Sequence, residues 1–129
     1  MINIPMLLHV PGTELPEVMD NVGGQVDILP TEDNLFGINL DNHIHFGEDL
    51  LNQTSYNLLP QRYYLPSGSF INDQALFIPG VWYDDGTKYP LPKDGVTQAL
   101  TTESEYNRAL ELLRLSDSYV KQLPDREKE

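Results

Sequence analysis

The feature that most constrains this chain is an alternation of apolar and polar side chains over the twelve residues Leu35–Phe46. The even positions are apolar with one exception, and they read Phe36, Ile38, Leu40, Asn42, Ile44 and Phe46. A strand points successive side chains to opposite faces, so this pattern predicts one long core strand with a wet face. A turn at Asp41-Asn42, which would split the stretch into a hairpin, is the alternative.

The first 22 residues are predicted to form an extended arm. Prolines at positions 5, 11 and 16 fix φ and keep the residues before them extended. Leu15–Val22 has room for one helical turn that begins at Pro16. The arm is too apolar for a free tail, so we expect it to pack on its own domain or on a neighbouring chain. The residues predicted to make these protein contacts are Ile2, Ile4, Met6, Leu7, Leu8 and Val10.

Residues 101–124 are predicted to form a C-terminal helix, followed by a charged tail at 125–129. Thr102 and Glu105 have the spacing of a capping box, and Pro124 stops the helix. The apolar side chains of this segment form two stripes, which together are wider than a helix lying on a sheet needs. We expect the surplus to meet the arm or a second subunit, through Tyr106, Leu112 and Tyr119.

Residues 23–100 contain short apolar and aromatic runs separated by turn formers, the pattern of a β-rich domain. Gln25–Leu29 is predicted to be a strand, and Arg62–Leu65 an edge strand. Asp85-Gly86 is the strongest turn signal and predicts a hairpin. The predicted fold is therefore mostly β, a small antiparallel sandwich or barrel, with an extended N-terminal arm and one C-terminal α-helix.

Composition excludes several classes of protein. The chain has no Cys, which rules out disulfides and thiolate chemistry. Twenty acidic and eight basic residues give a net charge of −12, and no Lys or Arg precedes Arg62. A field of this sign repels phosphate backbones, so we expect no direct contact with nucleic acid. The sequence shows neither a membrane helix nor the basic and apolar regions of a signal peptide, so we expect no membrane contact and no export by a signal peptide.

Two histidines, His43 and His45, would share a face of the predicted strand, where both imidazoles can reach one metal ion. With their surroundings they resemble the first half of the cupin metal motif, here Gly37, His43-Ile44-His45 and then Glu48 or Asp49. The resemblance implies a metal bound by the two histidines, a carboxylate and one later histidine, but no histidine follows His45. The alternative is a pair of solvent-facing or interface histidines. We predict no metal and no other cofactor, and keep His43, His45, Glu48 and Asp49 as candidate ligands.

No combination of nucleophile, base or phosphate-binding loop stands out, so the sequence predicts a protein without enzymatic activity or a small-molecule substrate. An acidic, cysteine-free chain with an apolar arm is typical of the small structural proteins of tailed-phage virions. We therefore predict a bacteriophage virion component, made in the host cytoplasm, that acts as a decoration protein or as an adaptor of the capsid or tail. Its expected partners are other protein subunits, including copies of itself. The alternatives are an acidic inhibitor that mimics nucleic acid and a cupin-like metal protein.

Overall fold

The computed structural model describes residues 4–14, 18–39, 41–52 and 57–124. In these ranges four short strands form one open antiparallel sheet in which neighbours in sequence are neighbours in space: β1 (Leu59–Pro60), β2 (Phe70–Ile71), β3 (Ala75–Ile78) and β4 (Thr87–Pro90). Two helices complete the fold, α1 (Ile28–Leu35) and α2 (Glu103–Gln122). The predicted antiparallel sheet and C-terminal helix are confirmed. The sandwich or barrel is not, because the sheet is open, and the architecture is small α/β.

The apolar core lies between the sheet and α2. Phe70 and Phe77 are paired across β2 and β3, have no exposed surface, and place their ring centroids 5.2 Å apart. Ala109 of α2 is equally buried and completes the cluster, against which Tyr83 and Tyr106 pack. Every second residue of β3 is buried, which is the period that a strand with one covered face requires.

Helix α2 begins where the sequence predicts. Thr102 is its N-cap, and its hydroxyl accepts a hydrogen bond from the Glu105 N–H while the Glu105 carboxylate accepts one from the Thr102 N–H. Gly68 allows the helix to approach the β1–β2 loop, because a Cβ there would lie 2.3 Å from the Tyr106 ring. Gly68 also has a φ of +92°, a conformation that glycine adopts without strain.

The strand predicted at Gln25–Leu29 is wrong, because these residues are helical. A 3-10 turn at Gln25–Asp27 leads directly into α1, and Pro30 lies in its first turn, where a missing N–H costs no hydrogen bond. The helix ends in a Schellman motif around Gly37, whose φ is +67°. In this motif the Ile38 N–H donates to the Asp33 carbonyl at 2.8 Å, and the Gly37 N–H donates to the Asn34 carbonyl at 3.1 Å.

The long strand predicted at Leu35–Phe46 is also wrong. Leu35 is the last residue of α1, Leu40 lies outside the described residues, and residues 41–49 form turns and irregular backbone. The Asn39 side chain accepts a hydrogen bond from the Asp41 N–H at 2.6 Å and donates one to the Asp41 carboxylate at 2.8 Å. Such local bonds of Asn and Asp compete with a strand ladder, which is why an alternating pattern did not produce a strand.

Two loops lie at the same end of the sheet because the strands follow each other in antiparallel order. One is formed by residues 61–69 between β1 and β2, and the other by residues 79–86 between β3 and β4. The edge strand predicted at Arg62–Leu65 is wrong, because this segment turns at Tyr64, whose φ is +62°. A hairpin joins β3 to β4 as predicted, but its connection is the whole loop 79–86, and Asp85-Gly86 is only the end of that loop.

The segment before α1 is attached to the sheet by hydrogen bonds. Lys93 donates from Nζ to the Asp20 carbonyl. The Val22 N–H donates to Asp73 at 3.4 Å, and the Val22 carbonyl accepts from Asn57 at 3.3 Å. Residues 4–10 and 18–24 contain no helix or strand, and the helical turn proposed to start at Pro16 lies outside the described residues. The division into an arm, a β-rich domain, a helix and a tail stays a prediction.

Candidate functional site

The most unusual surface belongs to α1 and the turn before it, where two polar side chains are buried while several large apolar side chains are exposed to solvent. Asp27 and Thr31, four residues apart, are at most 1% exposed. Leu29 and Phe36, seven residues apart and therefore on one side of the helix, are 52% and 78% exposed. We call this exposed side of α1 the outward face and define it by Leu29 and Phe36.

The buried carboxylate of Asp27 explains why the side of α1 that contains Thr31 faces inward. It accepts hydrogen bonds from the Gly24 N–H at 2.7 Å, the Glu48 N–H at 2.8 Å and the Asn57 amide at 2.9 Å. Three separate segments are therefore joined at one side chain. A carboxylate with several N–H donors can be buried without a cation, since hydrogen bonds replace much of its hydration.

Two further contacts hold the segment that follows α1 against the helix. The Thr31 hydroxyl donates to the Asp27 carbonyl at 2.6 Å and accepts from the Leu50 N–H at 3.0 Å. Gly47 is pressed against the backbone before α1, where an added Cβ would lie 1.9 Å from the Val26 carbonyl oxygen. These contacts fix the inward side of α1 and leave its outward face to solvent.

The candidate metal ligands lie in the irregular segment after α1. His43 and His45 are exposed, and His45 Nδ1 lies 3.1 Å from the Gly47 carbonyl oxygen. The Asp49 carboxylate accepts from the Leu51 N–H at 3.0 Å. Because residues 41–49 are not a strand, the spacing of the two histidines does not place them on one face as the cupin resemblance requires. Within the described ranges, no three His, Asp or Glu side chains are grouped to bind a metal ion.

The residues predicted to make protein contacts fall into three environments. Ile4, Met6 and Leu7 are exposed, while Leu8 and Val10 are partly covered and Ile2 lies outside the described residues. Tyr106 contacts Phe77 in the core, with ring centroids 6.0 Å apart. The partly buried residues Leu112 and Tyr119 lie further along α2, and the ring centroid of Tyr119 is 6.1 Å from that of Phe46.

The loop end of the sheet displays exposed aromatic residues, with Tyr63, Tyr64 and Trp82 all more than 70% exposed. The Asp85 carboxylate organises the β3–β4 loop by accepting from the Trp82 N–H at 2.8 Å and from the Val81 N–H at 3.0 Å. These hydrogen bonds favour the charged form and hold the pKa of Asp85 below its usual range.

A cavity of about 430 Å³ lies beside the start of α2, and its lining residues are Asn72, Asp73, Gln74, Leu100, Thr101, Thr102 and Glu105. The two buried polar side chains in this wall bond to each other, since Asn72 donates to Glu105 at 2.8 Å. Asn72 also accepts from the Ala75 N–H at 2.8 Å, and Glu105 accepts from Thr102. These groups hold the β2–β3 turn against the helix.

Three comparisons with known proteins show what this chain is similar to. No model of a known protein family matches the sequence. Lipoteichoic acid synthase 1 of Bacillus subtilis (strain 168) is 30% identical over 117 residues, which is 91% of this chain and 17% of that protein. The lipoteichoic acid synthase-like protein YvgJ of the same organism is 33% identical over 88 residues, or 65% of this chain and 13% of its own length.

A solved structure agrees with these relatives. The crystal structure of the lipoteichoic acid synthase LtaP from Listeria monocytogenes superposes with a TM-score of 0.76 and 38% sequence identity, and it covers 92% of this chain. The match spans 29% of the LtaP chain. The chain therefore spans less than a third of the solved protein and less than a fifth of the two Bacillus relatives.

These homologues overturn the functional prediction. The prediction of a non-enzymatic bacteriophage virion component is wrong, and so is its virion localisation, because the homologues are lipoteichoic acid synthases and a lipoteichoic acid synthase-like protein of bacteria. The nucleic-acid mimic and the cupin-like protein are set aside for the same reason. The acidic charge, the absence of Cys and the apolar arm, on which the virion prediction is based, are not specific to virion proteins.

Sequence reasoning missed the outward face because the sequence predicts two strands, Gln25–Leu29 and Leu35–Phe46, on either side of a short connection. One signal could have found it. Gly37 follows Leu35-Phe36, and a glycine directly after an apolar pair is typical of a helix C-terminus. Counting back from Gly37, Leu29 and Phe36 fall at a helical interval of seven, on a face that also contains Glu32.

Proposed function

We propose that this chain acts in lipoteichoic acid synthesis, as the part of a lipoteichoic acid synthase-type enzyme that forms the four-stranded sheet and α2. The match to LtaP carries the proposal, since 38% identity and a TM-score of 0.76 over 92% of the chain combine sequence and shape. The relatives in Bacillus subtilis support the same assignment.

The distribution of burial also supports a part that works in contact with other parts of an enzyme. The sheet and α2 enclose a core of Phe70, Phe77 and Ala109. By contrast, the outward face and the arm residues Ile4 and Leu7 expose apolar surface. Exposed apolar side chains that share one face are typical of surfaces that other polypeptides cover. The protein contacts predicted from the sequence therefore stay part of the proposal, with an enzyme in place of a virion.

The proposal can be tested with a chimera in which this chain replaces the matching segment of LtaP. We expect the chimera to restore lipoteichoic acid in a Listeria monocytogenes strain that lacks LtaP, measured by immunoblotting of the polymer. A chimera carrying Phe70→Asp, which places a charge at a fully buried position, is expected to abolish the signal, and Tyr63→Ala in the exposed loop is the matched control. A chimera that accumulates as folded protein but yields no polymer would contradict the proposed function.

A further inference from the structure

The outward face combines apolar side chains with acidic ones. Glu32 lies three residues after Leu29 and four before Phe36, so it shares their side of α1, and Asp33 is adjacent. Both carboxylates are in the last turn of the helix, where the partial charge of the helix end is negative and no basic residue is present. A cation beside this turn would stabilise both the carboxylates and the helix end.

The surrounding chain supplies no such cation. Residues 1–61 contain nine acidic residues and no Lys or Arg. Across the described ranges, the ion pair within 4.0 Å is Arg62–Asp117, which belongs to the loop end of the sheet and to α2. Glu32 and Asp33 therefore take part in no ion pair within the part of the chain that the structure describes.

From these observations, and resting on the proposed function, we infer that the outward face binds a polypeptide surface with an apolar centre and Lys or Arg at its rim. This surface belongs to the part of a lipoteichoic acid synthase-type protein that has no counterpart in this chain. The match leaves 71% of the LtaP chain uncovered (100% minus the 29% matched), so that protein contains ample additional polypeptide. Leu29 and Phe36 would enter the apolar centre, and Glu32 would pair with the rim.

The negative charge of the outward face favours this partner over a second copy of the chain and over a lipid surface. Two copies of the chain that met through this same face would place Glu32 and Asp33 of each copy near those of the other, and like charges in an interface are unfavourable. An anionic lipid surface is repelled in the same way. A basic rim is attracted, and it would also neutralise the negative end of α1.

Thiol labelling can measure whether the face is covered, because the chain has no cysteine of its own. Phe36→Cys would be placed in the free chain and in the LtaP chimera, and the rate of reaction with a maleimide compared. Cysteines of the LtaP portion are accounted for by labelling the chimera without Phe36→Cys. We expect Cys at position 36 to react at least about tenfold more slowly in the chimera, since a covered site reacts only when it opens.

Arg114→Cys, at an exposed position of α2, is the control and should react at the same rate in both proteins. Equal rates at position 36 would overturn the inference, as would a chimera that cannot be recovered folded. Slow labelling at position 36 in the free chain together with a doubled mass in light scattering would also overturn it, because the occupant would then be a second copy.

The charge requirement is tested by Glu32→Lys and Glu32→Gln in the chimera with Phe36→Cys. We expect labelling to accelerate most with Glu32→Lys, which opposes a basic rim, and less with Glu32→Gln. Unchanged rates in both would show that the rim is not basic and would overturn that part of the inference. Polymer synthesis separates the two proposals: protection without polymer contradicts only the proposed function, and polymer without protection contradicts only the docking.

Discussion

The largest buried side chains of residues 57–124 are apolar, whereas those of the described residues between 4 and 52 are polar. In the first region the largest fully buried side chains are Phe70 and Phe77, and in the second they are Asp27 and Thr31. The sheet and α2 are thus stabilised by apolar packing, whereas the segments around α1 are joined by hydrogen bonds to one carboxylate. The comparison indicates that the sheet region has a core of its own, while the α1 region depends on a few directional contacts and leaves its apolar surface to solvent.

Removing core volume from the sheet is expected to have the largest effect. Phe77→Ala deletes a ring with no exposed surface that contacts Phe70, Tyr83 and Tyr106. Such a truncation lowers the free energy of unfolding by about 3–5 kcal/mol. Urea denaturation measures the change, with Leu115→Ala at a half-exposed position of α2 as the control, which should stay within about 0.5 kcal/mol. Similar losses for both variants would contradict the proposed position of the core.

Removing the buried carboxylate of Asp27 tests the region around α1. Asp27→Ala leaves the Gly24 and Glu48 N–H groups and the Asn57 amide without their acceptor. We expect the free energy of unfolding to fall by about 3 kcal/mol, since each unsatisfied buried donor costs about 1–3 kcal/mol and water can reach some of them.

Hydrogen exchange would locate the effect of Asp27→Ala. Exchange should accelerate in residues 24–50 and change little in β2 and β3 if the two regions open separately. Glu32→Ala, which removes an exposed carboxylate from the same helix, is the control and should leave exchange at residues 47–50 unchanged. Equal acceleration in the sheet and in α1 would show that the two regions form one cooperative unit.

The capping box of α2 should contribute less. Thr102→Ala removes the hydroxyl that accepts from the Glu105 N–H, and loss of an N-cap costs about 1 kcal/mol. Ser104→Ala, in the exposed first turn of the same helix, is the matched control. A denaturation midpoint equal to that of the wild type would show that Glu105, which also binds Asn72, maintains the helix start without the hydroxyl.

The smallest expected effect is that of the exposed ion pair between Arg62 and Asp117, whose side chains are 47% and 51% exposed and lie 2.7 Å apart. The hydrogen bond from Arg62 holds the pKa of Asp117 below its usual range. A lowered folded-state pKa means that this stabilisation is present above the ordinary Asp value of about 3.9 and is lost as the pH falls through the folded-state value.

Asp117→Asn should therefore be less stable than the wild type near neutral pH, and the difference should close in acid. Urea denaturation as a function of pH measures it, and high salt should also reduce it because the pair is exposed to solvent. Asp94→Asn, at an exposed loop position, is the control. A stability difference that persists in strong acid would show that the charge of Asp117 is not its cause.

The sequence predicted those parts of the fold that depend on local chemistry. The capping box of Thr102 and Glu105 and the Asp85-Gly86 signal each lie within four residues; the capping box is confirmed, and a hairpin joins β3 to β4 as predicted, with a longer loop. Contacts between residues far apart in the sequence could not be predicted from it. The inward side of α1 is fixed by Asp27 through partners up to 30 residues away, and no short pattern encodes that contact.

The alternation in Leu35–Phe46 illustrates the opposite failure, in which a genuine pattern predicts the wrong element. The alternation describes only the order of apolar and polar side chains, and it does not fix the backbone conformation. In this stretch Gly37 ends α1, and Asn39 and Asp41 form a turn stabilised by their side chains. For the candidate site, the sequence showed acidic residues and no Lys or Arg before Arg62, but only the helix revealed that Leu29, Glu32 and Phe36 share one face.

The open sheet has a consequence for how the protein behaves at high concentration. Its two edges are β1 and β4, and unpaired edges are templates on which other chains can add strands and aggregate. Both edge strands end in proline, Pro60 and Pro90, which has no N–H to offer to a new strand, and β4 also carries Lys88. Sheet-to-sheet aggregation is therefore discouraged at both edges, so the chain can expose apolar surface without extending its sheet from one molecule to the next.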